Sequence, residues 1–158
     1  MRISVFLHPA LRVRVLPDHR GCAPAPATCD PHAREAGRMA AKDELGRAGE
    51  ERAAQHLRRR GYTVLARNWR CAQGEIDIVA VRDHHLAVVE VKTRRTAVYG
   101  HPFEAIDARK RRRLWQLAQA WATENPEEAR GRVLRLEAIG IIGSDPASGS
   151  LEHLVDIA

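Results

Sequence analysis

The sequence GEIDIVAVRDHHLAVVEVK, residues 74–92, decides the fold, because it predicts two short strands joined by a polar turn. Most of its apolar residues are Val and Ile, which favour strands, whereas acidic residues are depleted there. Four charged side chains nevertheless lie inside the strand sequence, namely Glu75, Asp77, Glu90 and Lys92. Charges at such positions cost stability, so they indicate a function.

Antiparallel pairing around the turn Arg82–His85 places these charges together. Carried outward two residues at a time, the register puts Asp77 opposite Glu90 and Glu75 opposite Lys92 on one face. The other face is apolar and suits a core, with Ile76, Ile78, Ala80, Ala87, Val89 and Val91.

Like charges directly opposite each other, with Cβ atoms about 5 Å apart, destabilise a sheet. A divalent cation between Asp77 and Glu90 would remove that repulsion, and such an oxygen-rich pair suits Mg²⁺ or Mn²⁺. The alternative is that each acid faces solvent and that Glu75 and Lys92 form an ordinary ion pair. Four such residues at one end of one face favour a site.

The composition of the whole chain favours a single globular domain with a polyanionic partner. Its 158 residues carry a net charge of +6, with 44% hydrophobic residues. This charge favours nucleic acid first and an acidic membrane surface second. No apolar run approaches the roughly 20 residues of a membrane helix, so we expect a cytoplasmic protein without a membrane partner. The three cysteines have no metal-type spacing.

The remaining segments predict an α/β domain over residues 39–158 with the order α-β-β-β-α-β-β. Residues 1–38 are expected to be a disordered N-terminal extension, because a Pro/Ala-rich segment precedes Met39, which resembles a natural start. Helices are predicted over 43–60 and about 104–123, and further strands over 62–66, 133–142 and 151–157. The second helix has an apolar stripe, Leu114, Leu117, Ala118 and Trp121.

Basic residues close to the acidic positions predict a rim that binds nucleic-acid phosphates. The candidates are Arg94, Arg95, Lys110, Arg111 and Arg113. Because residues 109–113 are all basic, some of them must point toward the sheet. The alternative for any single one of them is a solvated surface position.

An acidic site for Mg²⁺ inside a basic domain is typical of phosphodiester hydrolysis. Lys92 would orient the attacking water or stabilise the developing charge, and the carbonyl of Val91 is a further candidate metal ligand.

Several motifs resemble the YraN family, small and largely uncharacterised bacterial proteins of the PD-(D/E)xK superfamily. They are Gly46-x-x-Gly-Glu50, Gly61-Tyr62, Arg67-Asn68, Gly74-Glu75-Ile76-Asp77, Val89-Glu90-Val91-Lys92-Thr93-Arg94 and Lys110. The resemblance implies a restriction-endonuclease-like fold, similar to archaeal Holliday-junction resolvases, with a mixed sheet whose catalytic hairpin is flanked by helices. It also implies that Glu50 turns inward as a third acidic metal ligand.

By the same resemblance, Asp77 and Glu90 are the main metal ligands and Lys92 is the catalytic base or charge stabiliser. Glu75 is a less certain ligand that would otherwise pair with Lys92. The chain departs from the family pattern at Glu137, where the family more often has Asp. This position lies outside the catalytic set.

The sequence thus predicts a Mg²⁺-dependent nuclease for DNA, including branched or structured DNA, and RNA is the alternative target for such an enzyme. The alternative is a non-catalytic nucleic-acid-binding or adaptor protein that retains the fold. The resemblance also implies a homodimer, although no interface is evident in the sequence.

Overall fold

The computed structural model describes residues 31–96, 98 and 102–157, which form a mixed α/β domain. The elements are α1 (Pro31–Arg59), β1 (Thr63–Cys71), β2 (Gly74–Arg82), β3 (His85–Arg94), a 3-10 helix (Pro102–Ala105), α2 (Ala108–Glu124), α3 (Pro126–Ala129), β4 (Val133–Ile142) and β5 (Ser150–Val155). The five strands form one sheet in chain order, with β3 and β4 parallel and the other neighbours antiparallel. The predicted α/β class and the order of the main elements are confirmed.

Helix α1 is longer than the sequence predicted, because it begins at Pro31 rather than at residue 43. Proline is favoured in the first turn of a helix, and the Ala, Arg, Glu and Lys residues that follow are strong helix formers. Residues 31–38, which the sequence assigned to the extension, belong to α1. The rest of that extension, residues 1–30, lies outside the described residues.

The end of α1 is as predicted. Gly61 has a φ of 84°, and the Tyr62 N–H donates to the Leu57 carbonyl at 3.0 Å. Glycine favours this left-handed capping geometry because it lacks a Cβ. The turn directs the chain from α1 into β1, so that the helix lies against the sheet.

Helices cover both faces of the sheet. The α1-side core consists of Ala53, Ala54, Leu57, Tyr62, Ile78, Ala80, Ala87, Val89, Val91, Ile139 and Ile141. The α2-side core consists of Ile76, Val79, Leu86, Val88, Leu114, Leu117, Ala118, Trp121 and Leu136. The predicted apolar stripe of α2 is therefore buried, as expected, and each large buried side chain contributes about 1.5–3 kcal/mol.

The hairpin of β2 and β3 has the predicted register only over its inner part. The ladder runs from Arg82–His85 to Ile78–Val89 and ends there. The expected pairs Asp77–Glu90 and Glu75–Lys92 are therefore wrong as backbone pairs.

Glu137 on β4 is fully buried in a polar network on the α1 side. Its carboxylate accepts hydrogen bonds from Tyr62 Oη at 3.1 Å and Arg135 Nε at 2.9 Å, and it contacts His153 Nε2 at 2.9 Å. Burial alone would raise the pKa of Glu137, but His153, Arg135 and Tyr62 together hold this pKa below its usual value. This acid stabilises the junction of β4, β5 and the start of β1, away from the hairpin acids.

Candidate active site

Strand β2 changes face at Asp77, and this irregularity builds the site. Ile76 belongs to the α2-side core and Ile78 to the α1-side core, although residues two apart share a face in a regular strand. The prediction that both face one core is therefore wrong. Asn68, opposite Asp77 on β1, has a left-handed φ of 50°, which asparagine tolerates better than most residues. Both strands thus bend at the same point.

The bend turns the Asp77 carboxylate toward the backbone of β3. Asp77 Oδ2 accepts a hydrogen bond from the Val91 N–H at 2.7 Å. A side-chain acceptor therefore replaces the ladder at this end of the hairpin, which is the physical reason that the predicted pairing stops.

The surroundings of Asp77 disfavour its charged form. Burial first, and then the charges of Glu90 and Glu50, raise the pKa of Asp77 to about 6, against the lowering effects of the Val91 N–H and Lys92. Carboxylates that repel one another at close range create a local demand for a cation.

An open cleft of about 520 Å³ lies beside Asp77, between α1 and the ends of β2 and β3. Its wall includes Glu50, Glu75, Asp77, Val91 and Lys92. Glu50 of α1 thus lies on the same cleft as the hairpin residues, where the family resemblance placed it.

Gly49 allows α1 to approach the sheet closely enough for this arrangement. A Cβ added at Gly49 would lie 1.8 Å from Thr93 Oγ1 on β3. With any larger residue at this position, either Thr93 must move or α1, and Glu50 with it, must move away from the sheet.

Glu90 is buried, and its charge is compensated by two lysines. Lys92 Nζ lies 2.9 Å from Glu90 Oε1, and Lys110 Nζ of α2 lies 3.0 Å from the same oxygen. Only 3% of the Glu90 side chain is exposed. The structure therefore places Lys110, expected to bind phosphate, against a site carboxylate.

Glu75 has a different partner from the one considered in the sequence. It lies on the cleft wall and forms an ion pair with Arg70 Nε at 3.0 Å. The alternative pairing of Glu75 with Lys92 is therefore wrong, because Lys92 contacts Glu90 instead.

The charge of Lys92 is stabilised by its neighbours. Burial would lower the pKa of Lys92, but Glu90 and then Asp77 outweigh it, so that the pKa lies above its ordinary value. Lys92 is therefore a cation at neutral pH in this conformation.

The donor atoms around the cleft fit Mg²⁺ rather than a metal that needs a complete protein cage. Across residues 31–96, 98 and 102–157, no three His, Cys, Asp or Glu side chains are grouped to hold a metal ion. Mg²⁺ keeps several waters and binds through one or two carboxylates plus substrate phosphates. Asp77 and Glu50, with the nearby Val91 backbone, supply such a donor set.

The basic candidates other than Lys110 occupy three different surroundings. Arg94 and Arg95 line a cavity of about 810 Å³ that shares Lys92 with the cleft. Arg113 lines another cavity of about 450 Å³ beside Glu75, and its Nη2 donates to the Gln73 carbonyl at 3.2 Å. Arg111 is exposed on α2. These residues therefore do not form one continuous group.

Sequence reasoning missed several polar residues of the cleft and its neighbouring cavities. They are Arg38, Lys42, Arg47, Asn68 and Arg70. The signal for Asn68 was the family motif Arg67-Asn68, which was quoted without a role in the site. Arg38 and Lys42 could not have been found, because the helix was predicted to begin after them.

Comparison with known proteins identifies the family. The model of the uncharacterised protein family UPF0102 matches residues 49–141. The chain belongs to this family. The motif-based assignment to the YraN family, which is UPF0102, is confirmed.

Curated UPF0102 proteins match most of the chain. The UPF0102 protein of Paenarthrobacter aurescens (strain TC1) is 47% identical over 116 residues, covering 73% of this chain and 94% of the relative. That of Acidothermus cellulolyticus is 57% identical over 90 residues, covering 57% of this chain and 68% of the relative. The family match over residues 49–141 contains the cleft residues Glu50, Glu75 and Asp77.

The helices that the structure describes include none that is both long and apolar enough to cross a membrane.

Proposed function

We propose that this UPF0102 protein is a Mg²⁺- or Mn²⁺-dependent nuclease that hydrolyses phosphodiester bonds in DNA, with branched or structured DNA among its substrates. The carrying observation is the bend at Asp77, which brings its carboxylate to the same cleft as Glu50 and Lys92. Two strands depart from regular geometry to make this arrangement, and such departures concentrate at functional sites.

The metal would be held by Asp77 and Glu50, with the Val91 carbonyl as a further ligand. Glu90 does not line the cleft and already contacts two lysines, so it is left out of this ligand set. Bound Mg²⁺ supplies the polarisation of the scissile phosphate and the acidification of the attacking water. A cation here would also relieve the repulsion that Glu90 and Glu50 exert on Asp77. Asp77 would be ionised above about pH 6 and so able to serve as a ligand at neutral pH.

Lys92 would act as a cation rather than as a base. Its ion pair with Glu90 at 2.9 Å and its raised pKa support a protonated amine. Such an amine donates hydrogen bonds to a phosphate oxygen and stabilises the charge that develops there during hydrolysis. Its position on the cleft wall, with 40% of its side chain exposed, supports access to substrate.

The polyanionic substrate is supported by the charge around the cleft. The chain carries a net charge of +6, and Arg94 and Arg95 line the cavity that adjoins the cleft. Cations beside the cleft suit a phosphate backbone that runs past the carboxylates.

The finer fold assignment, restriction-endonuclease-like, belongs to the same proposal. This assignment is supported by the order of the elements, which is a helix, three antiparallel strands, a second helix and a strand parallel to β3. The acidic residues of β2 lie at the bend of the central hairpin.

The test is cleavage by the purified full chain with Mg²⁺ or Mn²⁺. The substrates are labelled duplex, single-stranded, flap and four-way DNA, with RNA beside them. Light scattering in the same buffer separately tests for the homodimer that the resemblance implies. We expect DNA cleavage that Asp77→Asn and Lys92→Gln reduce at least a hundredfold. The matched control variants, Asp83→Asn in the hairpin turn and Arg109→Gln on α2, should retain activity.

Two outcomes contradict the proposal. Tight binding of DNA without cleavage in either metal supports the adaptor function instead. Cleavage that survives both Asp77→Asn and Lys92→Gln shows that another site, or a contaminant, is responsible.

A further inference from the structure

The contact between Lys110 and Glu90 has a consequence for how Lys92 works. One oxygen of Glu90, Oε1, contacts two ammonium groups, at 2.9 Å for Lys92 and 3.0 Å for Lys110. Because Glu90 is only 3% exposed, the loss of its partners would leave a buried charge uncompensated, which is strongly destabilising. Glu90 thus needs at least one cation at all times.

Lys110 is fixed in place by the fold of α2. It lies four residues before Leu114 and seven before Leu117, so it continues the buried stripe of the helix toward the sheet. Its backbone N–H donates to Oδ1 of the N-cap residue Asp107 at 2.7 Å. The helix start therefore determines where the Lys110 side chain begins.

The position of Lys110 is electrostatically unfavourable without Glu90. A cation in the first turn of a helix faces the positive end of the helix dipole, which is unfavourable. With 30% of its side chain exposed, Lys110 is also partly desolvated. A lysine at a position that disfavours its charge indicates that the side chain has a role outside the helix.

The two lysines differ in their access to the cleft. Lys92 lines both the cleft and the adjoining cavity, whereas Lys110 lines neither of them. Lys92 is thus exposed to a phosphate that enters the cleft, while Lys110 lies behind Glu90 on the α2 side.

We propose that Lys110 is the permanent counter-ion of Glu90 and, through it, a positioning residue that frees Lys92 for the substrate. This role extends the proposed nuclease function. The part in which Lys92 contacts a substrate phosphate rests on that function. Without Lys110, Lys92 would be the one remaining cation on Glu90 within the described contacts. Moving Lys92 to a phosphate would then expose an uncompensated buried carboxylate, so the movement would be disfavoured.

The first experiment does not depend on nuclease activity. The full chain is briefly acetylated without metal, and the modification of Lys92 is followed by peptide mass spectrometry. We expect Lys110→Gln to slow acetylation of Lys92 roughly three- to tenfold, because Lys92 then holds Glu90 alone. Lys110→Arg should restore the rate, and Arg109→Gln, an equal loss of charge at an exposed position, should leave it unchanged.

A stability cycle shows whether Lys110 acts through Glu90. We expect Lys110→Gln to lower the urea midpoint of unfolding in the native chain but not in the Glu90→Gln background. If Lys110→Gln lowers the midpoint equally in both backgrounds, or if Lys92 reacts as fast or faster in Lys110→Gln, the proposed role of Lys110 is wrong even if the protein is a nuclease.

The third measurement separates positioning from phosphate binding. If the chain cleaves DNA, Lys110→Gln should lower kcat roughly tenfold and change KM for DNA less than twofold. The opposite result is a raised KM with an unchanged kcat, together with a slope of log affinity against log salt that falls by the amount of about one phosphate contact. It would make Lys110 a substrate-binding residue and overturn the inference. If no DNA is cleaved, the proposed function fails, while the first two measurements still decide the pairing of Lys110.

Discussion

Replacement of Gly49 by alanine tests the close contact on which the position of Glu50 depends. The added Cβ would lie 1.8 Å from Thr93 Oγ1 and 2.9 Å from Thr93 Cβ. Carbon and oxygen atoms at rest lie about 3.5 Å apart, so α1 must retreat or Thr93 must move.

The size of the effect follows from two opposing contributions. Alanine stabilises a helix interior by about 0.5–1 kcal/mol relative to glycine, whereas overpacking costs about 1–3 kcal/mol. The two contributions together give a net loss between about 0 and 2.5 kcal/mol, so we expect Gly49→Ala to lower the free energy of unfolding by about 1 kcal/mol. Gly46→Ala, three residues earlier on α1, should raise it by about 0.5–1 kcal/mol, because nothing lies within 4 Å of its added Cβ.

Urea unfolding followed by circular dichroism measures both variants, and unchanged m-values make the comparison valid. Thr93→Ala in the Gly49→Ala background should recover part of the loss, since it removes the closest atom but leaves Thr93 Cβ. If the two glycine variants are equally stable, α1 does not approach β3 as described and the argument for the position of Glu50 fails.

Three further predictions concern charge. In the metal-free folded protein Asp77 has a pKa of about 6, whereas the ordinary value, taken for the unfolded chain, is 3.8. In the interval between these two pH values the folded chain therefore binds more protons than the unfolded chain. Stability should therefore fall by at most about 3 kcal/mol as the pH rises through it, and urea unfolding of Asp77→Asn should lack this decline. Glu137→Gln should destabilise by about 3–5 kcal/mol in the same assay, whereas the exposed Glu124→Gln should change stability by less than about 0.5 kcal/mol. If Arg95 contacts a DNA phosphate, Arg95→Gln should reduce the slope of log affinity against log salt by about 0.9, as measured by fluorescence anisotropy; an unchanged slope excludes that contact.

Local patterns predicted most of the secondary structure. The hairpin register from Arg82–His85 to Ile78–Val89 follows from strict alternation around a two-residue turn, and β4 has the predicted bounds, 133–142. The buried stripe of α2 follows from helical spacing. The start of α1 was missed because residues 31–42 have helix-forming composition without an apolar stripe, and the prediction relied on the stripe.

The candidate site could be predicted in membership but not in geometry. Asp77, Glu90 and Lys92 stand out as charges in apolar strands, and the family motif added Glu50. The pairing of these residues was extrapolated from regular strands, and the bend at Asp77 and Asn68 breaks that regularity. A strand pattern has no means of showing where a side chain replaces the backbone as hydrogen-bond acceptor.

The sequence by itself determined most of the strands, the register of the inner hairpin, the family and the group of charges that make up the candidate site. These depend on spacing along the chain, which local sterics and side-chain alternation translate directly into structure. Only the tertiary structure decided that Asp77 turns to the Val91 N–H, that Glu75 pairs with Arg70, and that Lys110 shares Glu90 with Lys92. Electrostatic partners are chosen by distance in space, and the packing of α2 on the sheet sets the distance between residues that are 20 positions apart in sequence.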